Sequence, residues 1–302
     1  MIVLIIGLGS IARKHILALR KLNENVSIYA LRSGQDKQEE EGIRNIYGFE
    51  EIPPHLDFSI VSNPTSKHLE AIQLLIELNK PIFIEKPVFN SLEGISDLLK
   101  EVKERNLVTY IGCNLRFHPI IQRLKTEMNT RRPIEISAYC GSYLPDWRPG
   151  VDYRDIYSAQ QSLGGGVHLD LIHELDYIVF LLGQPKSTQS YRSKKSNLEI
   201  DSTDVAHYVL EYVNTSVFIT VNYYRRKAKR QIECVWRDET WVADLINGTI
   251  QDDNSNIIFT YDLETVDLYA QQLTYFWEAV KTGKPVMNDI FEATQVLRMC
   301  LN

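Results

Sequence analysis

The residue types best suited to chemistry stand in two short motifs far apart in the chain. Gly7-Leu8-Gly9-Ser10-Ile11-Ala12 follows the apolar run Ile2-Val3-Leu4-Ile5-Ile6 and opens a helical pattern. This is the strand, turn and helix context that a dinucleotide fingerprint requires. Gly7 permits the tight turn, Gly9 lets the backbone approach a pyrophosphate, and Ala12 is small enough for close helix–strand packing. Ser10 and Ile11 begin the helix, whose free N–H groups face the phosphates. The second motif, Glu85-Lys86-Pro87, follows another apolar run, Pro81-Ile82-Phe83-Ile84. Ligands bind at this edge of an open parallel sheet, so Lys86 can meet the nicotinamide end of a dinucleotide whose phosphates rest on the glycines. A lone lysine at a strand end is as readily a solubilising side chain; the fingerprint and Pro87 give this one a site.

Positioning these motifs takes alternating strands and helices. Strands are expected at Ile2–Ile6, Val26–Leu31, Phe58–Ser62, Ile82–Ile84 and Val108–Gly112, with helices over Ile11–Leu22, Lys67–Leu78 and Leu92–Arg105. Such alternation reads as right-handed βαβ units and a parallel sheet. From about residue 133 the pattern changes to consecutive β segments: Ile134–Ser142, Val205–Val213, Ser216–Tyr224, Gln231–Trp236, Thr240–Leu245 and Ile257–Tyr261, with hairpin tips at Asn214-Thr215 and Arg237-Asp238. One helix, Val167–Leu182, interrupts them, and two more, Val266–Lys281 and Ile290–Leu301, close the chain. The fold class is therefore α/β: a Rossmann domain over residues 1–120, then an α+β domain with a mostly antiparallel open sheet over residues 121–302, its last helices returning to the first domain. The basic run Arg225–Arg230 reads as a solvated hairpin loop, with a diphosphate or a neighbouring subunit as the sharper alternative.

The 302 residues carry a formal net charge of −6, and the four cysteines (Cys113, Cys140, Cys234, Cys300) form no C-x-x-C pair. A general nucleic-acid binder, a zinc site and a disulfide framework are not expected. The N-terminal apolar run lacks a basic flank and is too short for a membrane span, so a reduced, cytoplasmic setting without membrane contact is expected. At the end of the second strand an acidic side chain would take a ribose 2′-OH, whereas arginine suits a 2′-phosphate. Here the strand runs into Arg32-Ser33, so NADP(H) is favoured over NAD(H), although Arg32 stacking on adenine would suit NAD as well.

The two motifs recur in order with Asn63-Pro64-Thr65-Ser66-Lys67-His68, Gly112-Cys113-Asn114-Leu115-Arg116-Phe117, and Gly164-Gly165-Gly166 followed by Asp170 and His173. This set, spanning nearly the whole chain, resembles the glucose-fructose oxidoreductase / inositol dehydrogenase (Gfo/Idh/MocA) family. The resemblance implies an NAD(P)-dependent oxidoreductase acting on a sugar, polyol or nucleotide sugar, with Lys86 implicated in proton transfer and a Lys86–Pro87 bond that is often cis. The chemistry agrees, because moving a hydride at an alcohol carbon needs a matched proton transfer at its oxygen, which a partly buried lysine can perform. The resemblance also implies that Asn63, Pro64, Thr65, His68, Glu85 and Pro87 line the cofactor and that Arg116 serves the substrate. His68 is read equally well as a helix-start histidine bonded to backbone.

In the second domain the family pattern D-x-x-x-H becomes Asp170 with His173 three residues on and Glu174 in the four-residue slot. On a continuous helix both neighbour Asp170, so His173 or Glu174 fills the histidine role. The structural alternatives are a helix-start aspartate and a buried histidine bonded to Asp170 or Asp176. Upstream, Trp147 and Tyr153 offer flat faces for a sugar ring, while Arg148 and Arg154 can fork-bind carboxylate or phosphate. Together with Tyr157-Ser158-Ala159 this loop resembles a branch of the family associated with bacterial surface sugars and glycans. Rival readings are a non-catalytic dinucleotide-binding sensor and redox-neutral sugar chemistry with tightly held cofactor. A homodimer or homotetramer is expected, because the second sheet is rich in apolar residues on a face that needs cover.

Overall fold

The computed structural model describes residues 1–34, 40–265 and 267–302. The chain divides into two compact units, Met1–Asn114 with Asp267–Gln295 and Leu115–Val266 with Val296–Asn302. In the first, β1 (Ile2–Ile6), β2 (Ser27–Leu31), β3 (Ile43–Ile46), β4 (Phe58–Val61), β5 (Ile82–Ile84) and β6 (Thr109–Ile111) form a parallel sheet in the order β3-β2-β1-β4-β5-β6. Three helices, α1 (Ser10–Leu22), α2 (His68–Ile76) and α3 (Ile95–Glu104), make the β1–β2, β4–β5 and β5–β6 crossovers. The strand order reverses between β1 and β4, and that switch is where a doubly wound sheet opens a crevice for ligand. The central strands are apolar apart from Ser59 of β4 and buried apart from the start of β1, because helices cover both faces of such a sheet. On α1 the buried residues Ala12, His15, Ile16 and Leu19 recur at helical spacing and face the sheet.

The second unit holds α4 (Pro119–Met128) and an eight-stranded sheet of β7 (Glu135–Tyr143), β8 (Ser187–Ser193), β9 (Val205–Glu211), β10 (Ser216–Asn222), β11 (Tyr224–Val235), β12 (Thr240–Asp244), β13 (Thr249–Gln251) and β14 (Ile257–Thr260). Its order is β14-β13-β12-β11-β7-β10-β9-β8, antiparallel throughout except for the parallel pair β7–β10. Ile136, Ala138 and Cys140 of β7 alternate with the half-exposed Ser137 and Tyr139. The chain ends in α7 (Leu268–Thr282) and α8 (Ile290–Leu301). Val266, where the sequence pattern starts the first of these, lies outside the described residues. Leu273 and Phe276 of α7 enter the core of the first unit, where Phe276 meets Phe58 and Phe83 edge-on.

Three sequence expectations change. The single helix over Val167–Leu182 is two helices, α5 (Val167–Asp170) and α6 (His173–Leu182), because Leu171 leaves helical geometry at φ −103°, ψ 25°. The basic run Arg225–Arg230 is not a hairpin loop but part of β11, where the register on β7 shifts between Tyr224 and Lys229. The strands β3, β8 and β13 were not expected; β8 is mostly polar and only partly buried, so it lacks the alternation that marks a half-buried strand.

Candidate functional site

The glycine turn after β1 sits at the strand-order switch. Gly7 has φ +88°, and a Cβ there would lie 2.5 Å from the backbone of Asn63, the residue that leaves β4. Only glycine meets both demands. The Ser62 hydroxyl donates to the Gly7 carbonyl at 2.9 Å and holds the two strand ends together. Gly9, by contrast, faces open space, and as N-cap of α1 it places no side chain over the first N–H groups. Ser10 is exposed, Ile11 half-buried and Ala12 buried against the sheet. An open glycine at an uncapped helix start is a cradle suited to a dinucleotide pyrophosphate.

Around this turn lie the other residues expected to serve a cofactor. Arg32 follows β2; its guanidinium donates to the Asn45 side chain at 3.1 Å, and Ser33 beside it is exposed. Pro64 is exposed and Thr65 buried in the turn before α2. His68 takes its bland reading. It is buried, with Nδ1 3.2 Å from the Val88 carbonyl and Nε2 3.0 Å from the Asn63 carbonyl, and burial lowers its pKa.

Lys86 stands half-buried two residues beyond the end of β5, with Pro87 buried after it and the Lys86–Pro87 bond cis. Its backbone N–H donates to Glu85 Oε2 at 3.2 Å. Glu85 is itself buried, and its Oε1 meets His15 Nε2 of α1 at 2.6 Å. Gly112 leaves room for this carboxylate, since a Cβ there would lie 3.2 Å from Glu85 Oε1. Glu85 is thus a buried partner of α1. His15, the residue that holds it, drew no notice in the sequence because a histidine among the apolar positions of a helix looks like core.

In the second unit the cluster gathers at Asp170. Gly165 lets the preceding loop close, because a Cβ there would lie 2.2 Å from the Tyr157 carbonyl. Asp170 is buried and accepts hydrogen bonds from the hydroxyls of Tyr157 at 2.6 Å and Tyr223 at 2.5 Å. Burial first, and then the Asp170 charge, raise the pKa of both phenols, so they remain donors. Trp147 packs edge-on against Tyr223 at 5.2 Å and donates its indole N–H to the Ser142 hydroxyl. Arg148 beside it is exposed, whereas Tyr153 accepts from the Glu199 N–H and Arg154 is taken up by Asp152 and Glu199. Neither tyrosine of the Asp170 clamp was assigned a site role from sequence. Only folding brings Tyr157, thirteen positions upstream, and Tyr223, at the junction of β10 and β11, onto one carboxylate.

The helix break separates Asp170 from both rivals for the histidine slot, which open α6 side by side. Glu174 is buried, accepting from Arg230 at 2.8 and 2.5 Å and from the Tyr177 hydroxyl at 2.6 Å. Arg230 reaches it because it pairs with Cys140 in register, while Lys229 and Arg225 lie over the Tyr139 ring. Glu174 is therefore an internal ion-pair residue. His173, the first residue of α6, is half-buried. Arg116, expected to serve the substrate, is 1% exposed and forks onto Asp176 at 2.9 and 2.8 Å, with Phe180 beneath its guanidinium.

Residues 1–113 match an oxidoreductase family's NAD-binding Rossmann fold, and residues 150–235 match the same family's C-terminal α/β domain. The chain is 24% identical to myo-inositol 2-dehydrogenase of Thermotoga maritima, over 93% of this chain and 88% of that one. It is 26% identical to the uncharacterized oxidoreductase YrbE of Bacillus subtilis over 72% of this chain and 65% of the relative. The crystal structure of UDP-N-acetylglucosamine 3-dehydrogenase from Acidithiobacillus ferrooxidans superposes with a TM-score of 0.80 at 22% identity, covering 100% of this chain and 95% of that one.

Proposed function

The chain belongs to the Gfo/Idh/MocA oxidoreductase family, and on that premise we propose that it is an NAD(P)-dependent dehydrogenase acting on a CH–OH group of a sugar, polyol or nucleotide sugar. The observation that carries the reading is Lys86 at the C-terminal end of β5, in the same unit and at the same sheet edge as the open glycine turn after β1. The residues present fit a dinucleotide. Gly7 to Ala12 would hold its pyrophosphate, Asn63, Pro64 and Thr65 would flank it, and Arg32 with Ser33 would take a 2′-phosphate, which favours NADP(H). Hydride chemistry is what a bound nicotinamide supplies. The chain's own task is the proton: Lys86 accepts it from the alcohol oxygen in oxidation and returns it in reduction.

On the second unit Asp170, the acceptor of two phenol hydroxyls, orients the substrate hydroxyl, and His173 assists proton transfer. The pairing of Glu174 with Arg230 favours His173 over Glu174 for that role. Trp147 and Arg148 select the sugar and any anionic group it bears. The inositol and UDP-N-acetylglucosamine dehydrogenases among the relatives support this substrate class. Lys86→Ala tests the reading. Turnover should fall by about two to four orders of magnitude, with dinucleotide affinity within a few-fold. Near-wild-type turnover would reject the role of Lys86, and a sensor that needs no proton transfer would then explain the fold better.

A further inference from the structure

The Lys86 turn is pinned at both ends by buried imidazoles from two different helices. Before Lys86, Glu85 is 6% exposed, and its carboxylate bridges His15 Nε2 at 2.6 Å and the Lys86 backbone N–H at 3.2 Å. After Pro87, the Val88 carbonyl is 3.2 Å from His68 Nδ1 and the Asn63 carbonyl 3.0 Å from His68 Nε2; the neutral ring has one N–H, which donates to one of the two at a time while the ring packs between them. His15 is fully buried and His68 is 1% exposed. His15 lies on the helix whose N-terminus follows the glycine turn, and His68 is the first residue of α2.

The geometry of the first contact assigns its proton. His15 Nδ1 has no hydrogen-bond partner among the described residues, so the N–H belongs on Nε2, facing the carboxylate. The ring is wedged edge-on against Phe83 of β5 and Tyr269 of α7, with centroids at 4.9 and 5.6 Å. It cannot swing away without opening the core. The two contacts stand on either side of Lys86, at Glu85 and at Val88. They restrict where the Lys86 backbone can sit relative to α1 and to Asn63, the segments that flank the glycine turn.

We propose that His15 and His68 are positioning residues for Lys86: acting through Glu85 and Val88, they fix the Lys86 turn to the elements that cradle the dinucleotide. The inference rests on the proton-transfer reading of Lys86. Displacement of a reacting group by about 1 Å can cost a hundredfold in rate, so loosening either contact should lower kcat while leaving binding nearly intact.

The test compares His15→Phe and His68→Phe with His15→Gln and His68→Gln. Phenylalanine keeps a ring in each place, and glutamine restores a donor. Three quantities are measured: kcat and KM, dinucleotide Kd by fluorescence titration, and the rate at which an amine-acylating reagent labels Lys86, read by peptide mass spectrometry with exposed Lys100 as internal reference. The Phe variants should lose ten- to a hundredfold in kcat, keep KM and Kd within threefold, and change the Lys86 labelling rate at least threefold; the Gln variants should recover most of each loss. If His15→Phe fails to fold because Glu85 is left unpaired, His15→Phe with Glu85→Gln removes the stranded charge and leaves the link broken. Wild-type labelling of Lys86 in the Phe variants overturns the clamp. Altered labelling with unchanged kcat overturns its part in turnover. Lys86→Ala at wild-type activity instead overturns the reading beneath it.

Discussion

The pair His173 and Glu174 offers a double dissociation. Glu174 is 1% exposed, and both of its oxygens are engaged, one by two Arg230 nitrogens and the other by the Tyr177 hydroxyl. Removing one partner of a buried ion pair typically costs about 3–5 kcal/mol. Glutamine keeps one acceptor oxygen, and the Arg230 side chain retains 22% of its exposure, so the lower end, about 3 kcal/mol, is expected for Glu174→Gln. In a unit of this size each kcal/mol lowers Tm by about 2–4 °C, which gives a fall of roughly 6–12 °C. Turnover per folded molecule, assayed well below the transition, should stay within a few-fold. His173→Asn should do the opposite. The side chain is half-buried at the start of α6, so stability should change by no more than about 1 kcal/mol, while loss of a proton-handling group should cost about two to four orders of magnitude in kcat. Thermal unfolding followed by circular dichroism, beside initial rates of NAD(P)H formation across a panel of sugars and nucleotide sugars, measures both. Full stability with lost turnover in Glu174→Gln, together with an active His173→Asn, would refute the reasoning and return the histidine slot to Glu174.

Further outcomes follow from the same geometry. NADPH should bind more tightly than NADH by about tenfold, the worth of one charge-assisted fork, and Arg32→Asp should reverse the order; equal affinities in the wild type would remove the argument from Arg32. His118, the N-cap of α4, accepts the Ile120 N–H on Nδ1, and burial followed by the nearby Arg230 charge lowers its pKa to about 4. Because the folded value lies below the unfolded one, this contribution is full above about pH 6.5 and is lost as pH falls towards 4, to a total of about 3 kcal/mol. His118→Asn, which can still cap the helix, should flatten that acid limb of Tm against pH; an unchanged limb would assign it to other groups. A homodimer or homotetramer is expected by light scattering at micromolar concentration, with Phe218→Asp shifting it towards monomer, because Phe218 and Tyr191 lie 43% and 51% exposed on the second sheet; a monomeric wild type would contradict this.

What could be read in advance, and what could not, divides along the reach of the forces involved. β1 and β5 are unbroken apolar runs and β4 departs from one only at Ser59, because these strands are covered on both faces, and the glycine turn carries its backbone demand in its own residue types. β8 escaped notice because a sheet edge imposes little on its side chains. The basic run in β11 reads as a loop because five basic residues, interrupted by Ala228 alone, have no apolar alternation. Its strand state comes from partners distant in sequence: Tyr139 and Tyr143 take cations on their rings, and Glu174 takes Arg230. The helix break is the most instructive case. Spacing rules for Asp170, His173 and Glu174 presuppose an unbroken helix, and Leu171-Ile172 carries no breaker to say otherwise. Folding anchors Asp170 to two phenols from elsewhere in the unit and draws Glu174 inward to a guanidinium, so the intervening turn takes up the difference. A three- or four-residue spacing then no longer decides which side chain serves the site. Burial and pairing decide it: they place Glu174 in the core, and the role proposed for His173 rests on the measurements set out above.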